Sequence, residues 1–104
     1  MIMTTSSMIA GKPVLKTLGM VKGNTIRARH VGRDILALIK MTIGGEIEDY
    51  TKMMAESREQ ALDRMTEQAR ILGANAVVDV RFSTSFIMTG AAEILVYGTA
   101  VVLE

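Results

Sequence analysis

The sequence predicts a single domain, residues 1–104, built as an antiparallel four-stranded sheet with two consecutive helices on one face. Three observations lead to this prediction. A chain of 104 residues is too short for two independent cores. Two helical patterns follow one another in the middle of the chain, and strand-like patterns lie before and after them. Together the two helices can cover one face of a four-stranded sheet.

The N-terminal part of the chain predicts a β-hairpin. A β-branched and hydroxyl-rich run at residues 2–8 is followed by the turn residues 10–13 and then by the run VLKTLGMVKG. Pro13 has no N–H to donate, so it can stand only at the start of the second strand. We expect this strand to continue to Arg29, with its glycines at bulges or a bend.

Two helices are predicted in the middle of the chain. The run RDILALIKMTI, residues 33–43, is long enough for three turns and apolar on most sides, so we expect it to be largely buried. Gly44 and Gly45 interrupt it, since glycine has a poor helix propensity. The second helix begins at Glu46, because carboxylates favour the first turn of a helix. It ends before Gly73, which can adopt a left-handed cap.

The second helix has one face for packing. Small and apolar residues recur along it at three- and four-residue steps, and the opposite face is charged. The packing face consists of Tyr50, Met53, Met54, Ser57, Ala61, Leu62, Met65, Ala69 and Leu72.

The run GANAVVDVRF, residues 73–82, is interpreted as the joint between this helix and the third strand. In a regular strand Ala76, Val78, Val80 and Phe82 would all point to the helix. The alternate residues form a mixed face, on which Asp79 and Arg81 can pair with neighbouring strands.

The last strand, EILVYGTAVVLE, is apolar on both faces. Ile94, Val96, Ala100 and Val102 form one face, and the other consists of Leu95, Tyr97, Val101 and Leu103. A strand of this kind needs cover on both sides. The helices cover one side, so we expect copies of the chain to cover the other in a homo-oligomer.

Composition excludes several classes of function. The chain has no cysteine, and we predict a cytoplasmic protein because no targeting segment or membrane span is evident. Net charge is +1, but residues 12–40 carry seven bases against one acid. With two Phe, two Tyr and no Trp, this basic half lacks the aromatic residues of a nucleic-acid platform. We therefore expect no nucleic-acid partner and no membrane partner, and we place a possible small-ligand or anion site at Lys16, Lys22, Arg27 and Arg29.

Candidate catalytic and metal sites are weak. His30 is the single histidine, and Glu46 starts a helix where a carboxylate needs no metal to explain it. The nine methionines include several on the packing face, so core packing explains them better than Cu(I) binding. Phosphate loops, nucleophile elbows and metalloprotease motifs are absent. We predict no enzyme and no cofactor.

Three ordered motifs resemble one known family. GGE at residues 44–46 with Tyr50, LGANAVVDVRF at residues 72–82 and YGTAV at residues 97–101 are similar to the YbjQ-like family of uncharacterised prokaryotic proteins, described as "putative heavy-metal-binding". The resemblance spans nearly the whole chain. It implies an α+β subunit with a dodecin-like sheet, assembled as a homopentamer around a central axis.

These observations lead to one functional hypothesis and two alternatives. The leading hypothesis is a non-enzymatic pentameric module that binds a small ligand or anion between subunits. The first alternative is a metal-binding protein that uses oxygen ligands, His30 or methionine sulfur at subunit boundaries. The second is a hydrolase with its site between subunits.

Overall fold

The computed structural model describes residues 1–28, 46–88 and 91–104. These ranges contain four strands and one helix. In chain order they are β1 (Ile2–Met3), β2 (Val14–Ala28), α1 (Glu46–Leu72), β3 (Ala76–Met88) and β4 (Ala91–Leu103). The predicted first helix, residues 33–43, lies outside the described ranges.

The four strands form one mixed sheet in the order β1-β3-β4-β2. β4 lies between β2 and β3 and pairs antiparallel with both, whereas β1 runs parallel to β3. The prediction of an antiparallel sheet with two helices is therefore wrong. One strand pair is parallel, and α1 is the single helix of the described residues.

The predicted N-terminal hairpin is also wrong. β1 has only two residues and lies at the opposite edge of the sheet from β2. Beyond it, the backbones of Thr4 and Ser6 still hydrogen-bond to β3, and their hydroxyl groups form local bonds. Thr4 Oγ1 and Ser6 Oγ lie 2.9 Å apart, and the Ser6 hydroxyl donates to the Met8 carbonyl.

α1 packs on the sheet through the face that the sequence predicted. Its buried residues are Ser57, Ala61, Met65 and Ala69. They meet a core formed by β2, β3 and β4, which includes Val21, Val77, Val80, Ile94, Val96 and Ala100. This close packing depends on Gly23, because a Cβ atom there would lie 2.5 Å from Met65 N and closer still to the Ala61 carbonyl oxygen.

The C-terminus of α1 has the predicted glycine cap. Gly73 has a φ of 91°, which is the left-handed region. Its N–H donates to the Arg70 carbonyl at 3.0 Å, and the Ala74 N–H donates to the Ala69 carbonyl at 3.0 Å. This pair of bonds is the Schellman motif, which satisfies carbonyls that the last helical turn leaves free.

A bulge in β3 changes which residues face the helix. Asp79 has a φ of 55°, and the register between β3 and β4 shifts at this point. Consequently Val77 and Val80 pack in the core beneath α1, while Ala76 and Val78 belong to a second buried cluster on the other side. The predicted regular alternation is wrong because the bulge inserts an extra residue.

The sheet face that points away from α1 is called the outer face. At one end it is closed by the chain's own N-terminal segment, because Ile9 packs on the cluster that contains Val101 and Leu103. Those two side chains are buried in the protomer, so the prediction that they need a second copy is wrong. Leu95 is half-buried and Tyr97 is 38% exposed, so this middle part of the outer face remains partly uncovered.

Candidate functional site

Three side chains form a row across the middle of the outer face. Lys22 in β2 is the register partner of Tyr97 in β4, and Tyr97 is also the partner of Arg81 in β3. Directly paired residues point to the same side of a sheet. Neighbouring strands lie about 4.8 Å apart, so the backbones of the two cationic residues stand on either side of Tyr97. We call Lys22, Tyr97 and Arg81 the cationic row.

The cationic row has no carboxylate partner within the described ranges. The Arg81 guanidinium donates to the carbonyls of Thr5 at 2.8 Å and Val80 at 2.9 Å, which holds it toward the N-terminal segment at the edge of β3 and away from β4. Glu93, on the same face, accepts a hydrogen bond from the Asn24 amide. Asp79, at the bulge, accepts one from the Ser7 hydroxyl. Neither of these acids forms an ion pair with Lys22 or Arg81.

A second exposed feature, the aromatic patch, lies on the α1 side of β3. It consists of Phe82 and Phe86, which are 47% and 80% exposed. They pair with Val96 and Ala92 of β4 and therefore share the face on which α1 lies. α1 covers mainly β2 and β4 and makes few contacts with β3, so it leaves this patch open.

The two long edges of the sheet differ in their protection. Along β2, side chains of α1 occupy the edge: Gln68 accepts from the Lys22 N–H at 2.7 Å, and Arg64 donates to the Asn24 carbonyl. Along β3, the N-terminal segment pairs only as far as Val80. From there to Met88, no described strand covers the outer edge. An uncovered strand edge presents N–H and C=O groups with which another strand can pair.

The protomer is elongated. The radius of gyration is 17.4 Å, and the longest dimension is 55 Å. A compact domain of about 100 residues has a radius of gyration of about 13 Å. The long strands thus project beyond the core instead of folding around it.

Two cavities provide other candidate sites. The first, of about 470 Å³, lies where α1 ends and is lined by Lys12, Arg70 and Asn75 among others. Its Asn75 side chain exchanges two hydrogen bonds with the Leu103 backbone, at 2.7 and 3.0 Å, which is a structural role. Arg70 is paired with Glu67. Neither side chain needs a ligand to satisfy its polar groups.

The second cavity, of about 430 Å³, contains the predicted ligand residue Arg27. Three carboxylates, those of Glu56, Glu59 and Asp63, also line it. Arg27 donates to the Gln60 side chain at 2.8 Å. An anion would meet a net negative lining here, so this cavity is a poor anion site.

The predicted ligand residues are not gathered in one place. Lys16 and Lys22 are exposed on β2, and Lys22 lies on the outer face, whereas Arg27 lies on the α1 side. Arg29 and the metal candidate His30 lie outside the described residues. The other metal candidate, Glu46, is the first residue of α1.

Sequence reasoning missed Arg81 and the aromatic patch as surface features. The register of three strands places Arg81 and Lys22 on opposite sides of Tyr97, which no local pattern reveals. Phe82 was predicted to lie on the sheet face that the helix covers. It does lie on that face, but α1 does not cover it, and it is 47% exposed.

The described part of the chain gives no support from geometry for a metal centre. Within it, no group of three or more histidine, cysteine or acidic side chains is placed to hold an ion. Several methionine side chains are exposed there, including Met8, Met20 and Met88. None of the helices in these ranges is both long enough and apolar enough to span a membrane.

Comparison with known proteins identifies the family. A family model named YbjQ, with the description "Putative heavy-metal-binding", matches residues 1–104. The chain belongs to the YbjQ family. A UPF0145 protein of Dehalococcoides mccartyi is 54% identical over 104 residues, with all of both chains covered. A UPF0145 protein of Methanosarcina acetivorans is 55% identical over 101 residues, covering 97% of this chain and 95% of the relative.

A solved structure supports the fold of this YbjQ-family chain. It is a protein of unknown function from Pediococcus pentosaceus, assigned to the DUF74 family. The TM-score is 0.70 at 16% sequence identity, and the match covers 100% of this chain and 98% of the other. At this identity the likeness concerns the fold and carries no residue's role.

Proposed function

We propose that this YbjQ-family chain is a non-enzymatic, cytoplasmic module that assembles as a homopentamer and binds a small anionic ligand at subunit boundaries. The observation that carries the proposal is a pair of exposed apolar surfaces on opposite sides of one sheet. The aromatic patch, Phe82 and Phe86, lies on the α1 side. Met20 and Ile26 are 71% and 60% exposed on the outer face.

The opposite directions of these surfaces favour a ring. A two-fold dimer joins identical patches, so it would bury one surface in both copies and leave the other in water. A head-to-tail contact, in which the aromatic patch of one subunit meets the outer face of the next, buries both. Such a contact closes into a ring when the rotation between subunits closes. The number five comes from the resemblance to the family.

Assembly also supplies the apolar burial that a chain of this size needs. A domain of about 100 residues buries only about two-thirds of its unfolded surface, and its stability is correspondingly small. Exposed phenylalanine, methionine and isoleucine side chains add favourable burial when a neighbour covers them. The ligand would then occupy the boundary beside Lys22, which every subunit repeats.

Sedimentation velocity of untagged protein over a dilution series tests the assembly. We expect one species with about five times the 11.3 kDa mass of the protomer at micromolar concentration. A single 11.3 kDa species at all concentrations would contradict the proposal, because the two apolar surfaces would then be stable in water.

Metal binding is the second candidate function, and the family description favours it. The donors would be carboxylates, His30 or the sulfur atoms of exposed methionines such as Met20, brought together at subunit boundaries. Elemental analysis of untagged protein, followed by titration with Zn²⁺, Cu⁺ and Ni²⁺, separates this candidate from the first. Stoichiometric metal would support it, and the absence of both bound metal and titration would remove it.

A further inference from the structure

We propose that the N-terminal arm, residues 1–8, is a releasable cover of the β3 edge, and that Asp79 and Arg81 hold it in place. When the arm is released, the backbone of β3 from Ala76 to Met88 becomes one continuous free edge. The β3 strand of a second copy of the chain then pairs with that edge. Every contact of the arm lies within one protomer, so this inference does not depend on the proposed assembly or its ligand.

The arm is attached to β3 mainly through its backbone. The Thr4 N–H donates to the Val77 carbonyl and the Val80 N–H donates to the Thr4 carbonyl, each at 3.0 Å. Most side chains of the arm are exposed, and none is buried. The arm therefore contributes little apolar burial. A segment of this kind opens locally with a smaller free energy than unfolding of the whole domain requires.

Ile9 limits the opening to the arm. It packs on the buried cluster that contains Val101 and Leu103, directly after the arm ends. The Lys12 N–H donates to the Ile9 carbonyl at 3.1 Å, which closes a turn behind it. Release of the arm up to Ile9 therefore exposes backbone groups of β3 and leaves this cluster covered.

The β3 bulge directs two charged side chains to the arm. Asp79 has a φ of 55°, and its N–H donates to the Ser6 carbonyl at 3.0 Å. Its carboxylate accepts a hydrogen bond from the Ser7 hydroxyl at 2.9 Å. The Arg81 guanidinium donates to the Thr5 carbonyl at 2.8 Å. Hydrogen bonds with one charged partner are stronger than neutral ones, so these two side chains hold the arm closed.

The rest of the β3 edge indicates which partner the arm keeps away. From Phe82 to Met88 the strand has no charged residue and no proline, which are common protections of strand edges. The Val80 N–H points to the arm, and backbone groups alternate along a strand, so those of Phe82, Thr84 and Phe86 face the same edge. Two copies of an uncharged segment can pair about a two-fold axis without charge repulsion.

Amide hydrogen exchange resolved to single residues by NMR tests the release. The amides that report it, called the arm amides, are those of Thr4, Asp79 and Val80. In the wild type they should exchange at least about tenfold faster than the amides of β4, because the arm opens without global unfolding. Ser7→Ala and Arg81→Met should each accelerate the arm amides about threefold to tenfold, since each removes one hydrogen bond. The matched control, Ser85→Ala, removes a hydroxyl from the uncovered part of β3 and should leave the arm amides unchanged.

Sedimentation velocity of the Ser7→Ala/Arg81→Met double variant tests the pairing. We expect a species of about twice the wild-type mass at the same concentration, with the far-UV circular dichroism of a folded protein. Arm amides that exchange together with those of β4 would show that the arm is not released separately and would overturn the proposal. A double variant with accelerated arm amides and the wild-type mass would overturn the pairing. Neither result changes the proposed assembly, which the mass of the wild-type protein reports.

Discussion

Replacement of both phenylalanines of the aromatic patch by serine should dissociate the assembly without unfolding the protomer. Phe82 and Phe86 are 47% and 80% exposed in the protomer. With about 200 Å² for each phenylalanine, a neighbour could cover about 250 Å² of apolar surface. At about 25 cal/mol per Å², that burial contributes up to about 6 kcal/mol per contact. Imperfect packing would reduce this contribution to about 3 kcal/mol. Its loss in the double variant should therefore raise the dissociation constant by about two orders of magnitude.

Sedimentation velocity over a dilution series measures this change, and far-UV circular dichroism reports whether the double variant is folded. The matched control is Ile71→Ser, because Ile71 is 77% exposed but lies on α1, away from the patch. It should assemble as the wild type does. A Phe82→Ser/Phe86→Ser variant that is folded and still assembled at wild-type concentrations would refute the role of the aromatic patch.

Three further predictions concern the fold; the first two are measured by urea or thermal unfolding and the third by light scattering on heating. Gly23→Ala should lower the free energy of unfolding by about 2–3 kcal/mol, because the methyl group of the alanine would collide with the backbone of α1. The control is Thr17→Ala at an exposed position of β2, which should change the free energy of unfolding by less than about 0.5 kcal/mol. Asn75→Ala should lower it by about 2 kcal/mol, since two hydrogen bonds to the Leu103 backbone are lost, and an unchanged midpoint would contradict that role. Gln68→Ala should leave the Lys22 N–H of the β2 edge without its partner, so that the edge can pair with other chains and light scattering on heating increases. Scattering equal to that of the wild type would show that the β2 edge needs no such cover.

Local features of the fold were accessible from the sequence. The packing face of α1 was predicted because its spacing follows the helical period, and Ser57, Ala61, Met65 and Ala69 are buried as expected. The Gly73 cap was predicted because only glycine adopts its conformation without strain. Both depend on residues close in sequence.

Long-range features were not accessible. The parallel pairing of β1 with β3 depends on a contact between residues 2–3 and 76–77, and residues 2–8 alone favour a hairpin equally well. The β3 bulge depends on Asp79 in a left-handed conformation that aspartate adopts only occasionally. One extra residue there was enough to exchange the faces of Val77 and Val78.

The candidate site shows the same division. Lys22 was among the predicted ligand residues because it belongs to the basic half of the sequence. Arg81 was expected to pair across strands, but its place in a row with Lys22 and Tyr97 follows from the registers of β2 and β3 with β4. Charge content suggested a type of ligand, whereas the sheet register shows which of the charged residues share a face.

A native mass spectrum of untagged protein tests the central claim most directly, because it reports stoichiometry and retained small molecules together. We predict a species with five times the 11.3 kDa protomer mass, accompanied by small increments from a bound anion. A spectrum that contains only the 11.3 kDa protomer at micromolar concentration would contradict the claim that neighbouring subunits cover the exposed faces of this sheet.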